Sequence, residues 1–205
     1  MSRVYLFKRF ERFWHWSQAA LVLFMLLTGF EIHGTYRLFG WEQAGSLHRT
    51  AAWTLIALWA FAIFWHFTTG EWKQYLPTTK NLMAVAQHYS VGIFRGDPHP
   101  YHVTALAKHN PLQRVAYLIV KLLINPLLWI SGLLYLYYAE LAVLGLGEVP
   151  LRPIALAHTA AAFMMLIFTI SHIYLATTGH TPLAHLKAMI TGWQDDEGAH
   201  AGPNA

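Results

Sequence analysis

Four stretches of the chain contain no Asp, Glu, Lys or Arg: Phe13–Phe30, Thr50–Gly70, Leu122–Ala139 and Pro153–Leu186, of 18, 21, 18 and 34 residues. The third is lengthened by the apolar Val115–Val120 across Lys121, and the fourth is solidly apolar from Ile154 to Ala176. A helix needs about 20 apolar residues to cross the hydrocarbon core of a bilayer. The pattern predicts four transmembrane helices, at about 13–33, 48–68, 115–139 and 154–177. The polar chain between them is too short to wrap four all-apolar helices in water. Pro126 is expected to kink the third helix, because it removes a backbone donor and its ring crowds the preceding turn. Helices two and three are joined by a 44-residue connection, 71–114. Within it Asn81–Phe94 reads as amphipathic helix and Arg95–Pro100 as turn chemistry. Residues 1–190 are expected to form one membrane domain, and 191–205, ending in acidic and Gly/Pro/Ala residues, a flexible tail.

Charge orients this arrangement. Eleven of the 14 Lys and Arg residues fall before helix one, in 71–121 or after helix four, and only Arg37, Arg49 and Arg152 fall on the other side. Positive residues accumulate on the cytoplasmic side. The expected fold is therefore an all-α integral membrane protein, a four-transmembrane-helix bundle with both termini cytoplasmic. The formal net charge of +4 is mostly this bias and implies no nucleic-acid partner. Composition agrees: the chain is 56% hydrophobic and 12% charged, against about 25% charged in soluble domains. The absence of cysteine excludes disulfides, cysteine-ligated iron–sulfur clusters and covalently attached haem. The basic start and first apolar run resemble a signal peptide. No small-x-small cleavage site follows Phe30, and Trp14-His15-Trp16 sits inside the run, so it reads as a retained helix with interfacial tryptophans.

Ionisable side chains inside a membrane span are costly, and mark function. His158 and His172 are 14 residues apart on helix four, nearly four turns, so both point to one face about 40° apart and about 21 Å apart along the axis. One lies near each leaflet. His33, His48 and His158 share the outer level; His15, His66 and His172 share the inner one. Gly34 and Thr35 end helix one before His33, which favours His48. His15 is only weakly preferred to His66, which lies near the headgroups. Facing imidazoles on neighbouring helices, paired at two depths, are what axial ligation of haem iron requires. Zinc needs three or four clustered ligands and fits poorly.

The residues also carry a resemblance. Arg12-Phe13-Trp14-His15-Trp16, Leu27-Thr28-Gly29, Leu47-His48-Arg49, Lys108-His109-Asn110-Pro111-Leu112-Gln113 and the pair His158/His172 together resemble the four-helix dihaem b-type cytochromes of the bacterial cytochrome b561-like superfamily. These include membrane subunits of formate dehydrogenase, nickel–iron hydrogenase and thiosulfate reductase. The resemblance covers about residues 5–190. It implies two haems b, with His48 and His158 as axial ligands of the outer one and His15 and His172 of the inner one. It also implies a quinone site near the inner haem, where Asn110 is the matching residue. His109, Gln113 and His66 offer further hydrogen bonds there. The 44-residue connection and the additional His66 depart from the formate dehydrogenase type.

The implied protein lies in the bacterial inner membrane, surrounded by lipid. It exchanges electrons between a quinone, menaquinone or ubiquinone, and a periplasmic redox subunit: an iron–sulfur protein, a multihaem cytochrome c or a catalytic subunit. Glu31, Glu42, Glu140 and Glu148 are expected to give the outer face a negative bias. Asn110 before Pro111 also has the pattern of a helix cap. Gly29 and Gly132 admit porphyrin edges or close helix packing. The competing readings are a stand-alone quinone reductase of the same superfamily and a haem-free membrane anchor.

Overall fold

The computed structural model describes residues 3–78, 80–97, 100, 108–145, 150–179 and 181–195. Pro98 and His99 of the expected turn, Glu148 of the outer loop and the tail beyond Asp195 lie outside the described residues. Each charge-free run coincides largely with a long helix, and the chain is a four-helix integral membrane protein: Arg9–Ile32, Trp41–Thr69, Pro111–Leu136 and Leu151–Ala176 are each long and apolar enough to span a bilayer. Three of these begin well before the charge-free run does, because a helix continues into the polar interface as long as its ends are capped.

The described residues form two compact units. The first begins with a short strand, β1 (Arg3–Tyr5), followed by α1 (Arg9–Ile32) and α2 (Trp41–Thr69). Glu11, in the first turn of α1, accepts the Lys8 backbone N–H at 2.7 Å, closing the helix start. The α2 helix ends at Gly70, whose φ of 75° is the left-handed stop that glycine adopts without strain. Ala44, Ala51, Leu55, Ala62 and His66 are buried along α2. Their spacing of seven and four residues makes one stripe, and His48 falls on it. Small residues there let α1 approach closely.

In the connection, α3 (Leu82–Gln87) and α4 (Ile93–Arg95) run together through a π turn at His88–Gly92. This continuous helical run covers nearly all of the expected Asn81–Phe94 helix and belongs to the second unit. That unit also holds α5 (Pro111–Ile119), α6 (Asn125–Leu136), α7 (Tyr138–Val143) and α8 (Leu151–Ala176). The third span is α5 and α6 run together through a π turn at Val120–Ile124. The disturbance expected from Pro126 takes this form: the missing proline N–H is absorbed by widening the preceding turn. Along α8, Ile154, Ala161 and Met165 are buried, and His158 and His172 continue the same stripe. Large side chains on other faces, among them Ile130, Ile167, Ile170 and Ile173, are exposed, as lipid-facing residues must be.

The first unit is completed from the far end of the chain by α9 (Ala184–Thr191) and a strand, β2 (Trp193–Asp195). Strand β2 pairs antiparallel with β1, Arg3 opposite Asp195 and Tyr5 opposite Trp193. This ribbon places both terminal segments on one side, as an even number of spans requires. Arg12 donates from Nη1 to the Ile190 carbonyl, and Trp16 Nε1 donates to the Met189 carbonyl at 3.1 Å. These α1 donors satisfy carbonyls at the end of α9, so Trp16 has a partner inside the protein as well as the interfacial role its position suggests.

Candidate functional site

In the first unit His48, on α2, faces the last turn of α1. Its Nδ1 lies 3.0 Å from Thr28 Oγ1. The Thr28 hydroxyl is 3.0 Å from the Phe24 carbonyl and 3.3 Å from that of Met25, and its only proton goes to one of them. With that proton on a carbonyl of its own helix, the Thr28 oxygen is placed to accept a hydrogen bond from an Nδ1–H of His48. Gly29 stands beside the ring. A Cβ placed on it would lie 3.4 Å from His48 Cε1.

The second unit repeats this construction with different residues. His158, on α8, has Nδ1 3.1 Å from Ser131 Oγ and 3.1 Å from the Leu128 carbonyl. A carbonyl can only accept, so the imidazole donates its Nδ1–H towards Leu128, while the Ser131 hydroxyl donates to the Leu127 carbonyl. Gly132 follows Ser131, and a Cβ on it would lie 3.1 Å from His158 Cε1. The sequence suggested porphyrin edges or helix packing for Gly29 and Gly132. In the structure both glycines face imidazoles on the neighbouring helix.

An imidazole hydrogen-bonded at Nδ1 ligates iron or zinc through Nε2, and the bond at Nδ1 fixes its orientation and basicity. His48 and His158 fit haem b on this ground. His33, the outer-level competitor, is the exposed C-cap of α1.

The other two candidate ligands sit at the opposite ends of their units, among rings. His172 is stacked on Phe168, centroids 5.7 Å apart with an interplanar angle of 16°, and meets Tyr117 at 6.4 Å. His15 meets Trp16 edge-on at 5.1 Å. His66 is buried at 7% exposure and does not reach towards headgroups; its Nδ1 lies 2.6 Å from the Ala62 carbonyl one turn back, and Trp14 packs edge-on against it at 5.0 Å.

Asn110 is a helix cap. Its Oδ1 accepts the Gln113 N–H at 2.8 Å, and Gln113 Oε1 accepts the Asn110 N–H at 3.0 Å. The box forms because Pro111 presets the first helical residue. The Asn110 amide Nδ2 donates to Tyr89 Oη at 3.4 Å, so most of its hydrogen-bonding capacity is used internally. His109 stacks on Tyr75 at 5.3 Å and touches Tyr117 edge-on at 5.1 Å. Lys121, which could have reached for the interface, lies instead over the Tyr75 ring, 3.0 Å from its centroid.

Two carboxylate arrangements close the ends of the first unit. Glu31 Oε1 accepts the backbone N–H groups of Leu38, Phe39 and Gly40 at 2.7–2.8 Å and is buried at 4% exposure. Its charge is spent on the loop backbone, which removes it from the negative outer surface expected. At the other end Lys108 Nζ lies 2.8 Å from Glu11 Oε1 and 3.0 Å from Glu71 Oε2, and Lys8 Nζ lies 2.6 Å from Glu71 Oε1. Burial raises the Glu71 pKa, but hydrogen bonds from Lys8 and Lys108 outweigh it and hold the carboxyl below its ordinary value. The Lys8 ammonium is held above its ordinary value, chiefly by its hydrogen bond to Glu71.

Apolar spans presenting anchored imidazoles define a membrane protein of the haem-binding class. Residues 6–192 match the family described as prokaryotic cytochrome b561, and the chain belongs to it. A protein of Escherichia coli (strain K12) named "Putative cytochrome YdhU" is 33% identical over 200 residues, covering 94% of this chain and 75% of that protein. No solved structure matches the chain. The protein is thus a b-type cytochrome of the membrane, a haem-b-binding electron-transfer protein.

Proposed function

We propose that this chain is a dihaem electron-transfer subunit that passes electrons between the quinone pool and a redox partner on the periplasmic side of the bacterial inner membrane, with both termini cytoplasmic. The observation that carries the reading is the pair of hydroxyl-anchored imidazoles, His48 and His158, one in each unit. His48 and His158 are assigned to the outer haem and His15 and His172 to the inner one, on their matching depth in the sequence. Haem b, when bound, supplies reversible one-electron transfer.

The residues supply the rest. Two imidazoles per iron leave no open coordination position, which suits electron transfer over oxygen binding. The apolar faces of α1, α2, α6 and α8 keep water from the rings and hold the sites in lipid. For the quinone we assign the cytoplasmic end of the second unit, at His109 and Asn110. Support comes from the ring sequence Tyr75–His109–Tyr117–His172, which joins that end to the assigned inner ligand through contacts of 5.1–6.4 Å. His109 can exchange a proton with a quinone oxygen, and Asn110 keeps one amide N–H beyond its bond to Tyr89. His66 is the alternative acceptor, with Nδ1 engaged by Ala62. The periplasmic partner is a separate iron–sulfur protein, multihaem cytochrome c or catalytic subunit.

The test is rapid mixing of the purified cytochrome with a short-chain quinol, following the α-band of ferrous haem. Reduction by quinol, or oxidation of the dithionite-reduced protein by quinone, is expected, and His109→Ala is expected to slow it at least tenfold. A protein that dithionite reduces but that exchanges electrons with no quinone or quinol contradicts the proposal.

A further inference from the structure

The two anchored imidazoles share a construction that goes beyond ligation. Thr28-Gly29 faces His48 and Ser131-Gly132 faces His158, and each dipeptide lies late in the membrane span preceding its histidine's span. Each hydroxyl has carbonyls of its own helix within reach of its proton: Phe24 and Met25 for Thr28, Leu127 and Leu128 for Ser131. The glycines flank the rings: a Cβ on Gly29 would just touch His48 Cε1 at 3.4 Å, whereas one on Gly132 would crowd His158 Cε1 at 3.1 Å.

We propose that Thr28 and Ser131 are positioning residues for the haem ligands. Each hydroxyl fixes the rotation of its imidazole and, by accepting the Nδ1–H hydrogen bond, strengthens Nε2 as a donor to iron. A stronger nitrogen donor stabilises ferric over ferrous iron, so the pair lowers the reduction potential of the haem they serve. The proposal rests on the dihaem reading. If His48 and His158 share one haem, both hydroxyls act on that haem and the other is untouched by either.

The experiment uses the full-length chain purified in detergent, with Thr28→Val, Ser131→Ala, the double variant and the conservative Thr28→Ser. Haem is quantified, potentials are read by spectroelectrochemical titration, and ligand orientation by electron paramagnetic resonance of the ferric low-spin signals. Haem content is expected to stay at the wild-type level. The midpoint potential of one of the two components is expected to rise in each single variant and further in the double variant. The largest g value of that component should shift, and Thr28→Ser should restore both readouts. Wild-type potentials and g values in Thr28→Val and Ser131→Ala overturn the proposal. If the two variants move different components, the hydroxyl role stands and the pairing of His48 with His158 falls. Should Thr28→Val fail to assemble, Thr28→Cys, with its weaker acceptor, is expected to give a smaller shift of the same sign; no shift there also overturns the proposal.

Discussion

The two ends of the helix pairs are built on different principles. At the end holding His48 and His158, each imidazole is tied by a hydroxyl and seated on a glycine. At the end holding His15 and His172, aromatic rings surround the histidines: Trp16 against His15, Phe168 and Tyr117 against His172. Hydrogen bonds fix both position and electronic character, whereas stacked rings fix position and exclude water. Charge follows the same division in the first unit. A single carboxylate, Glu31, organises backbone at one end, and a two-carboxylate, two-lysine network organises side chains at the other.

That network is where the contrast breaks with the greatest effect. Lys108→Met takes the lysine from Glu11 and leaves Glu71 with Lys8 alone, and removing one partner of a buried ion pair costs about 3–5 kcal/mol. A large drop in the thermal unfolding midpoint in detergent is expected, followed by circular dichroism, and an unchanged midpoint would show that the network is not structural. A second break separates the two histidine seats. Gly132→Ala should destabilise more than Gly29→Ala, because its Cβ meets the imidazole at 3.1 Å against 3.4 Å. Overpacking of this kind costs about 1–3 kcal/mol, and equal midpoints in the two variants would contradict the ordering. The smallest effect is in acid. Because the folded Glu71 carboxyl titrates below its ordinary value, its contribution is complete above that value and is lost as pH falls through the lower, folded one. Unfolding midpoints measured between pH 6 and pH 3 should fall more steeply in the wild type than in Glu71→Gln.

Much of this was legible in the chain itself. Apolar runs and intramembrane histidines are one-dimensional signals, so the four spans and the candidate ligands could be read directly, and Asn110 before Pro111 could be read as a cap. The partners could not. Thr28 and Ser131 matter because of what lies across from them on another helix, and a scan for charged residues passes over hydroxyls. The signal was present as two hydroxyl–glycine dipeptides, each placed late in the span before a histidine-bearing helix. Lys108 was counted as one more positive residue of a cytoplasmic connection. Its burial at 7% exposure depends on Glu11, 97 positions away. The pairing of β1 with β2 joins three-residue segments from opposite ends of the chain, too short for any periodicity to announce.

The central claim is that four imidazoles hold two haems, and haem stoichiometry tests it most directly. Pyridine-adduct quantification of the purified wild type should give two haems b per chain. His48→Ala and His158→Ala should each lose the same spectral component, and His15→Ala and His172→Ala the other. One haem per chain in the wild type, or full haem content retained in all four variants, would contradict the account.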